Sequence, residues 1–279
     1  MRLSAGEIAM QFEFNGKQIY FEQHGQGEPL LVLNGIFMNS ASWAPFVPSL
    51  SRQHRLILVD LLDQGRSERM NSDYGQALQA DVACALLEHL GVLSCNILGI
   101  SYGGQVALRL ALLHPHRVKR LILANTTAYV NPWLEDLGHA WSYALSSYDA
   151  RQFFKTCMPL IYSPGFYAAN VAWLHAREKV FQERFTPEVY DSFLRLLKST
   201  EGLNLLGRLG EIAAPTLVIS SDCDYITPLA DQADILARLP QARQVVLKNC
   251  GHASMYEQPV EFTSAVLGFL AADTELRVV

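Results

Sequence analysis

With 279 residues, half of them hydrophobic and 18% charged, the chain can bury one large core, alone or with a sizeable insertion, and is not disordered. Its formal net charge of −5 leaves no basic footprint for nucleic acid, and a mildly acidic surface speaks to solubility rather than to partners.

In chain order, the start MRLSAGEIAMQFEF has no apolar run before Glu7, so no export signal is expected. The hairpin comes next: Phe12 and Phe14, then Asn15-Gly16, then Ile19 and Phe21. Asn-Gly between alternating runs marks a tight turn, because both turn positions want positive φ. Short apolar runs follow at Leu30–Leu33, Leu56–Asp60, Asn96–Ile100, Val118–Ala124, Thr216–Ser220 and Gln244–Leu247, the pattern of strands buried on both faces. Runs such as Leu56–Leu62 are too short to span a membrane and contain charge, so no membrane span is expected. Helical spacing separates them: Leu78, Val82, Leu86 and Leu90 within Ala77–Leu90, then Gly104–Leu113, Leu229–Leu239 and Pro259–Leu270. The alternation predicts an α/β fold, a mostly parallel twisted sheet with helices on both faces.

Tyr129 to Arg208 breaks the pattern. It has no convincing buried strand and holds 15 aromatics, and it reads as a helical insertion. The expected organisation is a core of residues 1–127 and 211–279 with a helical cap at 128–210. Aromatics of the cap would divide between its own core and an apolar pocket. The five cysteines, Cys84, Cys95, Cys157, Cys223 and Cys250, include no CxxC pair, which suits free thiols in a reducing, cytoplasmic compartment. Cys223 and Cys250 read as small packing residues.

The chemical signal is Gly99-Ile100-Ser101-Tyr102-Gly103-Gly104, closing a strand and opening a helix. A serine hydroxyl is a weak nucleophile unless it is exposed, held rigidly and activated. A sharp strand-to-helix turn presents its Oγ at the sheet edge, glycines make room for the turn, and the helix N-terminus aims amides at a developing oxyanion. The serine needs a base, and His252 follows the last strand in Asn249-Cys250-Gly251-His252. The other seven histidines read as lying on helices, on turns or in the insertion, with His89 on a helix surface and His114 and His116 capping a helix end. The orienting acid follows the preceding strand, where Asp222 and Asp224 compete. No metal-ligand spacing, phosphate loop or dinucleotide fingerprint appears, so neither metal nor cofactor is expected.

These motifs resemble the α/β-hydrolase superfamily over nearly the whole chain. Asn34-Gly35-Ile36-Phe37 with Trp43 resembles its HGF…W loop. Asp60 to Ser67 resembles its DxxGxGxS loop, and Gly251-His252 with Glu257 and Pro259 resembles its GHxxxxExP ending. The resemblance implies the α/β-hydrolase fold. It selects Asp224 over Asp222, because Asp224 lies four residues before Pro228 as the family's acid does. It also implies an oxyanion hole from the backbone N–H groups of Ile36 and Tyr102, each donor of that kind contributing about 3–4 kcal/mol to a transition state. The substrate pocket is expected to draw on Asn34, Phe37, Asn125, Trp133 and Trp141. A serine nucleophile argues against the haloalkane dehalogenases and epoxide hydrolases, which resemble this fold but use aspartate.

The chain departs from the family pattern at Asn34 for His, at Asp63-Gln64 for Gly-His and at Ser221 for Gly. Asn34 is also similar to the branch that handles 3-hydroxyacyl groups on carrier protein or coenzyme A, including the rhamnolipid-precursor synthase; alternatively it bonds local backbone. Three functions follow as expectations. The first is hydrolysis of an ester, lactone or thioester of an apolar acyl group, a small-molecule substrate. The second is acyl transfer or thioester cleavage on acyl carrier protein or acyl-CoA. The third is a non-catalytic binding module.

Overall fold

The computed structural model describes residues 8–239 and 241–272. The start of the chain through Glu7, where no export signal was expected, lies outside them. Eight strands form one sheet: β1 (Ile8–Phe14), β2 (Lys17–His24), β3 (Glu28–Leu33), β4 (His54–Val59), β5 (Cys95–Ile100), β6 (Val118–Ala124), β7 (Thr216–Ser221) and β8 (Ala242–Leu247). Their order is β1-β2-β4-β3-β5-β6-β7-β8. β2 runs antiparallel to β1 and β4, and all other pairs are parallel. The Asn15-Gly16 turn has φ of 51° and 76° and joins Phe14 to Lys17 in register, as the hairpin signal requires.

Eleven α-helices lie among the described residues. α1 (Val47–Leu50), α2 (Ala77–His89), α3 (Tyr102–Leu113), α9 (Leu229–Leu236), α10 (Ser254–Glu257) and α11 (Pro259–Ala271) belong with the sheet. Between β6 and β7 lie α4 (Pro132–Ser146), α5 (Ala150–Ile161), α6 (Pro164–Ala169), α7 (Val171–Arg184) and α8 (Pro187–Lys198). β3, β5 and β6 are apolar because both faces are covered: Leu31, Leu33 and Ile97 face one buried cluster, and Leu30, Val32 and Leu98 the other.

The expectation fails at one strand. Gln244–Leu247 is not buried on both faces; only Leu247 is buried there, because β8 is an edge strand with β7 as its one neighbour. The inserted helices carry their own aromatic core. Phe153, Phe181 and Phe185 stack within it, and Phe37 from the loop after β3 plugs it, with ring centroids 5.0 Å from Phe153 and 4.9 Å from Phe193.

Candidate active site

Ser101 sits between β5 and α3 at φ 53°, ψ −119°, a backbone region that side chains rarely adopt. The surroundings force it there. A Cβ on Gly103 would overlap the Leu33 carbonyl, and one on Gly99 would overlap the Gly103 carbonyl. A Cβ on Gly104 would lie 2.6 Å from the Thr126 side chain. Only glycine lets α3 start this close to β3, and Thr126 Oγ1 donates to the Ser101 carbonyl at 2.7 Å to fix the turn.

His252 Nε2 lies 2.8 Å from Ser101 Oγ. Its Nδ1 lies 2.9 and 3.0 Å from the two Asp224 oxygens. Asp224 is buried and richly bonded: the amides of Ile226 and Thr227 donate to Oδ1, each at 2.9 Å, while Thr227 Oγ1 and Asn125 Nδ2 donate to Oδ2 at 2.8 and 3.0 Å. Burial alone would push the Asp224 carboxyl up. The His252 charge and these hydrogen bonds outweigh it and hold the carboxyl below its ordinary range. An ionised carboxylate only accepts, so His252 carries its proton on Nδ1 and Nε2 is left to accept from Ser101. Asp222 points elsewhere, accepting from the Cys250 amide at 3.4 Å and lying 3.8 Å from Lys248 Nζ.

Neither the Ile36 nor the Tyr102 amide donates a hydrogen bond among the described residues, and both residues line a cavity of about 380 Å³ beside Ser101. Their loop is braced from below. Gln64, buried, donates from Nε2 to the Gly35 carbonyl at 3.0 Å. Buried Asp60 accepts from the Ser40 amide at 2.6 Å and the Arg66 amide at 2.8 Å; burial pushes its carboxyl up while these amides pull it down.

Of the five residues expected in the pocket, the structure places two there. Phe37 and Trp141 line a second cavity of about 100 Å³, which also reaches Ser101 and His252; Trp141 borders both cavities. The other three are corrections. Asn34 lines neither cavity and follows its alternative reading: its amide donates to the Val59 carbonyl at 2.7 Å and accepts from Trp43 Nε1 at 2.8 Å, so it bonds local groups. Asn125 lies behind the acid, bonded to Asp224, to Ser221 Oγ at 3.0 Å and to Ser254 Oγ at 2.5 Å. Trp133 is 52% exposed on α4. Two histidines also differ from expectation, since His24 closes β2 and His54 opens β4. His114 caps the end of α3 as expected, its amide donating to the Leu110 carbonyl at 2.8 Å, while its ring lies 3.7 Å from Asp81.

The other departures have structural roles too. Asp63 has φ 66°, which explains a usual glycine and is tolerated by aspartate. Its side chain, fully buried, takes a bidentate grip on Arg195 of α8 at 2.6 and 3.1 Å. Sequence reasoning did not find Gln64, Thr227 or Ser254 as members of this network. The signal for Gln64 was its departure from the family loop; Thr227 and Ser254 gave none beyond adjacency to Asp224 and His252.

Known proteins agree with this architecture. The crystal structure of MGS-M2, an alpha/beta hydrolase enzyme from a Medee basin deep-sea metagenome library, superposes with a TM-score of 0.94 at 37% identity, covering 97% of this chain and 100% of that one. The pimeloyl-[acyl-carrier protein] methyl ester esterase of Nitrosomonas europaea is 33% identical over 254 residues, 88% of this chain and 97% of that protein. The 2-hydroxymuconate semialdehyde hydrolase of Pseudomonas sp. strain CF600 is 28% identical over 275 residues, 95% of this chain and 94% of that one. The model of the alpha/beta hydrolase fold matches residues 28–259, and with that the chain belongs to the alpha/beta hydrolase fold family.

Proposed function

We propose that the protein is a serine hydrolase that cleaves an ester, lactone or thioester of an apolar acyl group through an acyl-enzyme. The observation that carries this reading is the unbroken path Asp224–His252–Ser101, with contacts of 2.9 and 2.8 Å, opening onto two cavities that meet at Ser101.

Ser101 Oγ attacks the carbonyl carbon while its proton passes to His252 Nε2. The Ile36 and Tyr102 amides take up the oxyanion. The bond to the leaving group breaks as Nε2 returns the proton to it. Water then attacks the acyl-enzyme, Nε2 takes the water's proton, and the acid departs as that proton returns to Ser101 Oγ. The larger cavity suits the apolar acyl group, with Val130, Leu134, Leu137, Leu194 and Leu197 in its wall. In this reading residues 128–210 are a helical cap and Trp141 is its contribution at the reacting centre. An acyl group borne on a carrier protein is a second reading, favoured by the carrier-linked substrate in the name of the esterase relative. The free thiols support a reducing, cytoplasmic setting.

A fluorophosphonate probe tests the core of the proposal. It is expected to label the native protein at Ser101 and to leave Ser101→Ala unlabelled. Labelling that persists in Ser101→Ala would overturn it. A panel of esters, lactones and acyl thioesters then ranks the substrate classes.

A further inference from the structure

The smaller cavity has a polar end that the proposed chemistry does not use. Arg177 of α7 lines it, with its guanidinium carbon 4.9 Å from the Trp173 ring centre and 5.4 Å from that of Tyr256. Its Nε is buried and has no hydrogen-bond partner. Trp141, in the wall of the same cavity, likewise has a buried Nε1 without a partner. Buried donors are almost always satisfied, so two orphans beside one empty space ask for acceptor atoms there.

The nearby carboxylates are engaged elsewhere. Glu178 pairs with Arg151 and Lys155 at 3.5 and 2.9 Å. Glu257 accepts from the Ser163 amide and hydroxyl at 2.9 and 2.5 Å. Tyr162 also lines the cavity; burial pushes its phenol up to about 12, with the Arg177 charge acting in the opposite sense, so it remains a donor at neutral pH. Stacking over two aromatic rings preorganises a guanidinium, and its planar fork matches a carboxylate.

We propose that Arg177, aided by Trp141 and Tyr162, binds a carboxylate carried by the substrate on the His252 side of the scissile carbonyl. The side follows from the serine-hydrolase reading, on which the inference rests: Nε2 hands its proton to the leaving group, and His252 borders this cavity. The substrate class is then an apolar acyl group joined to a short hydroxy acid whose carboxylate is free, with the acyl part in the larger cavity.

Butanoyl esters of ω-hydroxy acids two to five carbons long, each beside its neutral primary amide, test this. The quantity read is kcat/KM for the acid divided by that for the amide. At the best chain length the native protein should favour the acid about 10- to 100-fold, as a charge-assisted pair predicts, with the difference in KM. Arg177→Gln should bring the ratio near one, and Arg177→Lys should restore part of it. Calorimetry of the free hydroxy acids and their amides with Ser101→Ala, and with Ser101→Ala/Arg177→Gln, reads the same preference without turnover. A native preference at or below one by both measures, or a preference that survives Arg177→Gln, overturns the proposal. Turnover undiminished in Ser101→Ala would instead sink the serine reading, and the ratio would still judge Arg177.

Discussion

At the scale of single residues, the candidate site is a question of which atoms hold protons. Ser101→Ala is expected to lower kcat/KM on an activated ester at least about a hundredfold with an unchanged melting temperature, since the side chain takes no part in packing the turn. The two aspartates separate more sharply. Asn at 224 can enforce the wrong His252 tautomer, and losses near 10⁴-fold are known for such a change in another triad. Asp224→Asn should therefore cripple the enzyme while Asp222→Asn leaves it nearly intact; kcat/KM for both mutants decides, and a crippled Asp222→Asn would reverse the assignment. Asp224 also has a stability signature. Its folded carboxyl is held low, so its contribution is complete above the ordinary carboxylate value and is lost as pH falls through the folded one. Urea titrations at neutral and strongly acidic pH should show a smaller acid-side loss in Asp224→Asn than in the native protein. Choosing between these aspartates was beyond the sequence's physical pattern: they share a loop and differ by two positions, and only the spacing to Pro228 separated them. The pocket reading of Asn125, and of Asn34 beside its local-bonding alternative, failed for a related reason. Polarity beside a nucleophile looks like substrate contact, but both amides are consumed by backbone, Trp43, Ser221 and the acid.

At the scale of elements, the nucleophile turn was legible because its geometry tolerates so few residues. Gly103 faces the Leu33 carbonyl at less than van der Waals separation even for a bare Cβ. Gly103→Val should yield insoluble or inactive protein, checked by solubility, circular dichroism and ester turnover; a soluble and fully active variant would contradict the turn. The Asn15-Gly16 hairpin and the buried parallel strands were legible from φ demands and from apolar continuity. β8 was not, since an edge strand and a central one can share the short run Val245-Val246-Leu247, and neighbours decide exposure. The inserted helices were expected as helices, but their faces depend on contacts distant in sequence. Phe37, for instance, belongs to the strand-end loop yet packs among Trp141, Phe153 and Phe193.

At the scale of the molecule, two joints matter most among those that fasten the insertion to the rest of the fold. One holds α8: Asp63 with Arg195, Asp73 with Lys198, and the Gln76 amide to the Ser199 carbonyl at 3.1 Å. Arg195→Met alone would strand the buried Asp63 carboxylate and should cost about 3–5 kcal/mol by chemical denaturation, whereas Asp63→Asn/Arg195→Met should recover much of that. Equal losses in the single and double mutants would show that the pair does not act as a unit. The other joint holds the α5–α6 corner: Glu257 grips Ser163, and the Ala253 amide donates to the Ile161 carbonyl at 3.1 Å. Ala253 is the next residue after His252. The corner is therefore tied to the base through one backbone hydrogen bond and one peptide link, and the 2.8 Å contact of His252 with Ser101 leaves little room for displacement. Loosening of this corner should therefore disturb the base before it disturbs the sheet. On warming, ester turnover should disappear at a lower temperature than the sheet's circular dichroism signal, and coincident curves would show that the corner and the sheet give way together.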